Sequence, residues 1–380
     1  MRLLTAGADA RGVAPGPAAI GGVTVAGWGA ALPHRRVTNH DLARYLDTSD
    51  EWIVERSGIR ERRWAGPGES TGPLSVAAAR GALARAGVRP DQLDVVVVAT
   101  ATPDSPLPST ASQVAAALGT TAGAFDVNAA CAGFVYAMTV ASGLVAARVA
   151  RTALVVGADT MTAVVDPDDR ATAVLFGDGA GALVLTSAWA ADESRGGATR
   201  HRDDADAGAH ADPAVAAGLV ATDLVGDPGG VDLLVVPAGG SARPATAETV
   251  AAGEHHLRMD GREVFRRAVR AVEASIGRTL DRAGCAPDDV ALFVPHQANA
   301  RIVDAVLART GLSAERTSST IDRLGNTSAA SIPLALAEAA DAGTVTDGDL
   351  VLMCGFGAGL TVGTALWRWG TPTAITMETA

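Results

Sequence analysis

A cysteine, a histidine and an asparagine each stand where a run of β-branched residues gives way to a helical pattern. Cys131 lies in Asn128-Ala-Ala-Cys-Ala-Gly-Phe134, after a strand pattern at 125–127. His296 lies in Val294-Pro-His-Gln-Ala-Asn299, and Asn326 in Gly325-Asn-Thr-Ser-Ala-Ala330. A thiol at a helix N-terminus meets free N–H groups and the positive end of the helix dipole, which favour the thiolate. A neutral imidazole and a carboxamide can hold an oxyanion or enolate without adding a competing base. Together the three suit acyl transfer and decarboxylation. Taken singly, a buried cysteine is an ordinary small hydrophobe, and Cys285 and Cys354 lack the junction setting.

The elements that must position these side chains alternate. Apolar runs at 95–99, 153–157, 182–186, 290–294 and 350–353 have the character of buried strands. Helical patterns fill 73–87, 110–118, 262–283, 298–309 and 328–341. Alternation of this kind predicts an α/β fold. The chain also repeats: the Val95 run matches the Ala291 run 196 residues on, and Val155-Val-Gly157 matches Met353-Cys-Gly355 at 198. The same offset carries Cys131 to 327–329. Uncharged stretches at 127–147 and 324–337 predict two buried helices meeting back to back, related by a pseudo-twofold that brings all three junctions to one pocket. The first stretch is long enough for a crude membrane test, but its glycines, Asn128, Thr139 and Ser142 predict a helix buried inside protein.

Among 380 residues, all 31 basic side chains are arginine and lysine is absent; 42 acidic residues leave a formal charge of −11. No Schiff-base chemistry and no phosphate-binding Walker loop can be built without lysine. A pI near 5.1 argues against nucleic acid as the main partner. Residues 1–19 are predicted to be a flexible extension, with too short an apolar patch for a signal peptide. Three cysteines without CxxC spacing predict reduced thiols in a cytoplasmic protein. Residues 190–217 are polar and predict a surface loop between the halves 20–189 and 218–380. Its His201 and His210 with Asp203, Asp204, Asp206 and Asp212 fit a solvated acidic loop better than a metal site, and the His255–His256 pair is treated alike.

Seven motifs, in order along the chain, resemble β-ketoacyl-ACP synthase III: Asp47-Thr-Ser-Asp-Glu-Trp-Ile-Val54, Ser57-Gly-Ile-Arg-Glu-Arg62, Ala129-Ala-Cys-Ala-Gly-Phe134, Phe176-Gly-Asp-Gly-Ala-Gly181, Val294-Pro-His-Gln-Ala-Asn299, Gly325-Asn-Thr-Ser-Ala-Ala-Ser331 and Gly355-Phe-Gly-Ala-Gly359. The resemblance runs from about residue 21 to the end. It implies a thiolase-like duplicated α-β-α-β-α layered fold, in agreement with the repeat. It implies that Cys131 takes a primer acyl group from acyl-CoA. His296 and Asn326 would then hold the enolate formed when malonyl-ACP loses CO2. The backbone N–H groups of Cys131 and Ala358 would form the oxyanion hole; many relatives carry glycine at 358, which matters only if the loop needs positive φ.

By the same resemblance Trp52, Arg56 and Arg170 would hold CoA, and Gly261, Phe265, Ala298 and Asn299 the pantetheine. Ser57 replaces the family's threonine. Leu107 and Phe176 match the acyl pocket, with Leu107 reaching across a homodimer; leucine there leaves room for primers larger than acetyl. Arg258, Arg262, Arg266 and Arg270 recur every four residues, and Arg266 and Arg301 match positions that meet an acidic carrier protein. No metal, no resident cofactor, no nucleic acid and no membrane partner are implied. Without lysine, binding of phosphates and carrier protein would rest on Arg56, Arg170, Arg266 and Arg301.

Competing readings differ in what the residues must supply. A thiolase needs a second cysteine at the C-terminal glycine loop, and Cys354 sits about one residue out of place. A plant-type polyketide synthase shares Cys-His-Asn but not the segment from Asp47 to Arg62. A relative that passes its acyl group to a hydroxyl or amine is opposed by Asn326, and a non-catalytic partner subunit by Cys131. The extra segments at 1–19 and 190–217 favour polyketide priming over housekeeping fatty-acid synthesis.

Overall fold

The computed structural model describes residues 20–187 and 217–370; the extension at 1–19 and almost all of the loop at 190–217 lie outside the described residues. Two five-stranded sheets organise the chain. The first runs in the order Val23–Ala31, Asp178–Ser187, Thr152–Thr160, Val95–Ala99, Gly123–Val127. The second runs Ile20–Gly21, Gly218–Gly226, Thr361–Arg368, Leu350–Gly357, Leu292–Pro295. In each, the two strands nearest the junctions are parallel and the following strand turns back antiparallel. A parallel bridge from Phe293 to Thr317 marks the fifth position that Gly123–Val127 fills in the first sheet. Ile20–Gly21 crosses from the first half to pair with Gly218–Gly226 of the second.

Strand alternation explains the layers. Val95, Val97 and Ala99 enter the core between the sheets, while Val96 and Val98 enter the core beneath the helices Thr71–Ala86 and Thr110–Leu118. Val351 and Met353 face the shared core as well, whereas Leu350, Leu352 and Phe356 pack against Gly261–Ala283 and Ala300–Thr310. The helices Gly133–Ala146 and Ser331–Asp341 fill the middle, giving the layered α-β-α-β-α arrangement. Both sheets being covered on both faces is why their strands are near-continuous apolar runs.

The uncharged stretch at 127–147 becomes a 14-residue helix, Gly133–Ala146, not a span of membrane length. No helix among the described residues is long and apolar enough to cross a membrane. The half-buried Thr139 and the buried Ser142 donate their hydroxyls to the carbonyls of Val135 and Met138, at 2.8 and 2.7 Å. Each buried helix is preceded by a 3-10 turn, Ala130–Ala132 and Ser328–Ala330. Ala130 (φ 47°) and Ser328 (φ 51°) are both left-handed without being glycine, a conformation that costs about 1 kcal/mol or more and persists only where the surroundings impose it. Reciprocal glycines admit the turns. A Cβ at Gly157 would lie 2.4 Å from the Ala329 carbonyl, and one at Gly355 would lie 3.0 Å from Ala132 Cα. Each turn therefore sits against the opposite sheet.

Candidate active site

Cys131 occupies the middle of the first turn and is 7% exposed. Its sulfur lies 3.2 Å from the Ser328 hydroxyl, contributed by the other turn. Ser328 donates its backbone N–H to Asn326 Oδ1 at 2.9 Å, which commits that oxygen and leaves the Asn326 amide N–H groups as the donors. The Asn326 backbone is fixed on both sides, its N–H on the Leu175 carbonyl and its C=O on the Gly177 N–H. His296 follows the strand Leu292–Pro295; its N–H donates to the Cys354 carbonyl at 2.7 Å, and its Nδ1 lies 2.7 Å from Ser331 Oγ. Phe356 meets the imidazole edge-on at 5.4 Å. The strand Leu350–Gly357 thus touches both partners: its Cys354 holds His296, and its Gly355 and Gly357 pack on the Cys131 turn. The structure brings all three junctions together.

Burial sets the electrostatics. His296 is 3% exposed, and loss of solvation pulls its pKa down to about 3, so the ring is neutral. The thiol departs from the sequence expectation. Burial pushes Cys131 up to about 12, with the Ser328 hydrogen bond acting in the opposite direction and Asp159 adding to the rise. Desolvation outweighs the helix terminus here, so the closed site holds a thiol and not a thiolate. Cys354 is likewise pushed up to about 12 by burial and is hydrogen-bonded to Thr364 at 3.1 Å; it packs in the outer core with Val272 and Val306 and lines a small cavity there that His296 also lines.

These contacts meet a family already visible in sequence. A family model described as 3-oxoacyl-[acyl-carrier-protein] synthase III matches residues 125–204, and its C-terminal counterpart matches 280–369. A protein of Roseiflexus castenholzii named β-ketoacyl-[acyl-carrier-protein] synthase III is 47% identical over 346 residues, 91% of this chain and 97% of that one. The chain belongs to the β-ketoacyl-ACP synthase III family of condensing enzymes. The synthase III of Pseudomonas aeruginosa superposes with a TM-score of 0.78 at 42% identity, covering 93% of this chain and all of that one. A priming β-ketosynthase from the R1128 polyketide pathway gives 0.79 at 36% identity, covering 94% and 98%.

The remaining residues singled out in the sequence of this synthase III chain fall on several elements. Trp52 lies on the helix Asp50–Ser57, and the guanidinium carbons of Arg56 and Arg170 are each 4.8 Å from its ring centroid. Asn299 caps the helix Ala300–Thr310 through Arg301 N–H and donates its amide to the Arg56 carbonyl at 3.0 Å, tying the helix Asp50–Ser57 to the His296 loop. Ala298 is buried; Gly261 and Phe265 open the long helix Gly261–Ala283, which Asp260 caps. Ala358 is not among the residues with positive φ, and Gly359 takes that conformation instead (φ 121°), so alanine costs the loop nothing. Leu107 is 86% exposed on this chain, in a loop whose following helix is capped by Asp126 accepting from Thr110 and Ala111 N–H. Phe176 is buried and forms an isolated parallel bridge with Asn326.

The helix carrying the arginine stripe starts at its N-cap, Asp260, as its pattern predicts. Arg258 belongs to the two-residue strand Arg258–Met259, so only Arg262, Arg266 and Arg270 share the helix. Arg266 is bound to Glu263 one turn back, which offsets its charge. Arg301 keeps an exposed side chain at the start of Ala300–Thr310. His255 and His256 pack ring to ring at 4.0 Å. No group of three potential metal ligands occurs among the described residues, and His201 and His210 lie outside them. Sequence reasoning missed Ser328, Ser331 and Asp159. Asp159 is fully buried and accepts from Thr100, Ala101, Thr102 and, across the pseudo-twofold, Ala329 N–H at 3.0 Å.

Proposed function

We propose that the chain primes a β-ketoacyl chain: it loads an acyl group from acyl-CoA onto Cys131 and condenses it with malonyl-ACP. The observation that carries this reading is the meeting of one thiol and two neutral donors, with Asn326 Oδ1 and His296 Nδ1 already engaged by protein partners. The Cys131 sulfur attacks the thioester carbonyl, and the tetrahedral oxygen is held by the N–H groups of Cys131 and Ala358. The carbon–sulfur bond to CoA breaks, and CoA leaves as the thiol with the proton that Cys131 gives up. Malonyl-ACP then loses CO2, and its enolate oxygen is held by His296 and Asn326. The enolate carbon attacks acyl-Cys131, forming the new carbon–carbon bond and returning the thiol after protonation. A neutral His296 suits this step, because it offers a donor without taking the proton the enolate lacks. No resident cofactor takes part.

Trp52, Arg56 and Arg170 would hold the CoA nucleotide, Gly261, Phe265, Ala298 and Asn299 the pantetheine, and Leu107 of a second copy would close the acyl pocket in a homodimer. The relatives named synthase III support initiation of fatty-acid chains. The R1128 priming synthase supports polyketide priming as a second reading, and leucine at 107 favours it by leaving space for primers beyond acetyl. Intact-protein mass spectrometry with a panel of acyl-CoAs tests the loading step, and malonyl-ACP added afterwards tests condensation. Cys131→Ala should stay unmodified; acylation of that variant at the rate of the parent protein would overturn the mechanism.

A further inference from the structure

We infer that Ser331 is a positioning residue that holds His296 in the tautomer whose proton is on Nε2. The inference deepens the proposed function and rests on it. Ser331 is the first residue of the helix Ser331–Asp341 and is fully buried. A hydroxyl has one proton to donate and two lone pairs. One lone pair takes the Gln297 N–H at 3.4 Å. The other partner of Ser331 Oγ among the described residues is His296 Nδ1, at 2.7 Å. Were the imidazole proton on Nδ1, it would donate to Oγ and the serine proton would be left in a dry site without an acceptor, an arrangement that native interiors avoid. With the serine donating to Nδ1, every group is paired and the ring proton must sit on Nε2. The backbone at His296 is fixed by its main-chain N–H on the Cys354 carbonyl, and the ring packs against Phe356 at 5.4 Å.

The tautomer decides what His296 can do. Nε2–H is a donor and can hold an enolate oxygen; a bare Nε2 is a base and would compete for protons. Ser331 thus acts through His296 on the malonyl half-reaction and has no part in loading Cys131.

Ser331→Ala is expected to slow malonyl-ACP decarboxylation and condensation about tenfold in kcat, with KM and the single-turnover rate of acyl loading changed less than twofold. Ser331→Thr, which keeps the hydroxyl, should recover most of the rate. In a His296→Ala background the Ser331→Ala change should have no further effect, since its partner is gone. Condensation at the parent rate in Ser331→Ala, a parallel loss of loading, or a full effect persisting in the His296→Ala background would each overturn the inference. If Ser331→Ala does not fold, Ser331→Cys keeps the volume with a weaker donor and is read by the same outcomes. His296→Ala condensing at the parent rate would instead refute the proposed function. An impaired His296→Ala beside an unimpaired Ser331→Ala refutes this inference alone.

Discussion

Gly357→Ala offers a sharp test of how the Cys131 turn is held. Gly357 is extended (φ −160°), so alanine meets no backbone penalty there. Its methyl carbon, however, would lie 2.6 Å from Cys131 N and 2.8 Å from Ala130 Cβ. Ordinary contact begins near 3.4 Å, so the turn has to retreat by about 0.8 Å, and misplacement of that order at a reacting centre costs roughly 10²-fold. Loss of an oxyanion donor carries a similar cost, about 10²–10³-fold. We therefore expect single-turnover acylation of Cys131 to slow by about 10²-fold, followed by quenched mass spectrometry after mixing with acyl-CoA. Gly355→Ala is the internal control, because its Cβ contacts with the same turn are 3.0 and 3.1 Å and should slow the step much less. Thermal melting establishes that both variants fold. Acylation of Gly357→Ala within about threefold of the parent would show that the Cys131 N–H is not where catalysis depends on it.

Other outcomes follow from the same geometry. His296 has a folded pKa of about 3 against an ordinary 6.5, so the unfolded chain binds the extra proton between those values and stability falls as pH drops from 6.5 toward 3; His296→Asn should flatten that part of a melting-temperature profile, and an unchanged slope would count against the buried neutral ring. Arg301→Glu should raise KM for malonyl-ACP at least fivefold and spare acyl-CoA loading, while Arg266→Glu, starting from a guanidinium already bound to Glu263, should do less; steady-state kinetics at low salt separates the two. Asp159→Asn turns one acceptor oxygen into a donor facing N–H groups, and a cost of ~2–3 kcal/mol is expected in urea unfolding; a change under about 0.5 kcal/mol would remove Asp159 as the tie between the halves.

Much of the fold was legible because its strands are buried on both faces and its duplication kept register. The 196–198 offset brought Cys131 to the turn that holds Ser328, and Gly157 to Gly355. The burial of the thiol itself was not legible. The shift of the Cys131 thiol to about 12 depends on the opposite sheet closing over it, whereas the sequence showed only a helix terminus, which acts the other way. Asp159 and Ala329 are 170 residues apart and His296 and Ser331 are 35 apart, so neither pairing is set by local spacing. The Glu263–Arg266 pair was within reach, for it has the i,i+3 spacing at which helical side chains meet; attention to the arginine period passed over it. The crossing of Ile20–Gly21 to the other sheet had no signal beyond its apolar start.

The carboxylate of Asp159 sets the two matching turns apart. Counting 198 residues on, Asp159 corresponds to Gly357, Ala329 faces it as Cys131 faces Gly357, and Asn128 corresponds to Asn326. Asn128 even accepts the Ala130 N–H as Asn326 accepts that of Ser328, at 3.2 and 2.9 Å. The Ala329 turn is therefore the pseudo-twofold counterpart of the Cys131 turn, in which the thiol is absent and an aspartate oxygen rests 3.0 Å from the nitrogen equivalent to that of Cys131. Of two matching turns, one presents a thiol and the other is occupied by the protein's own carboxylate, which joins the halves there.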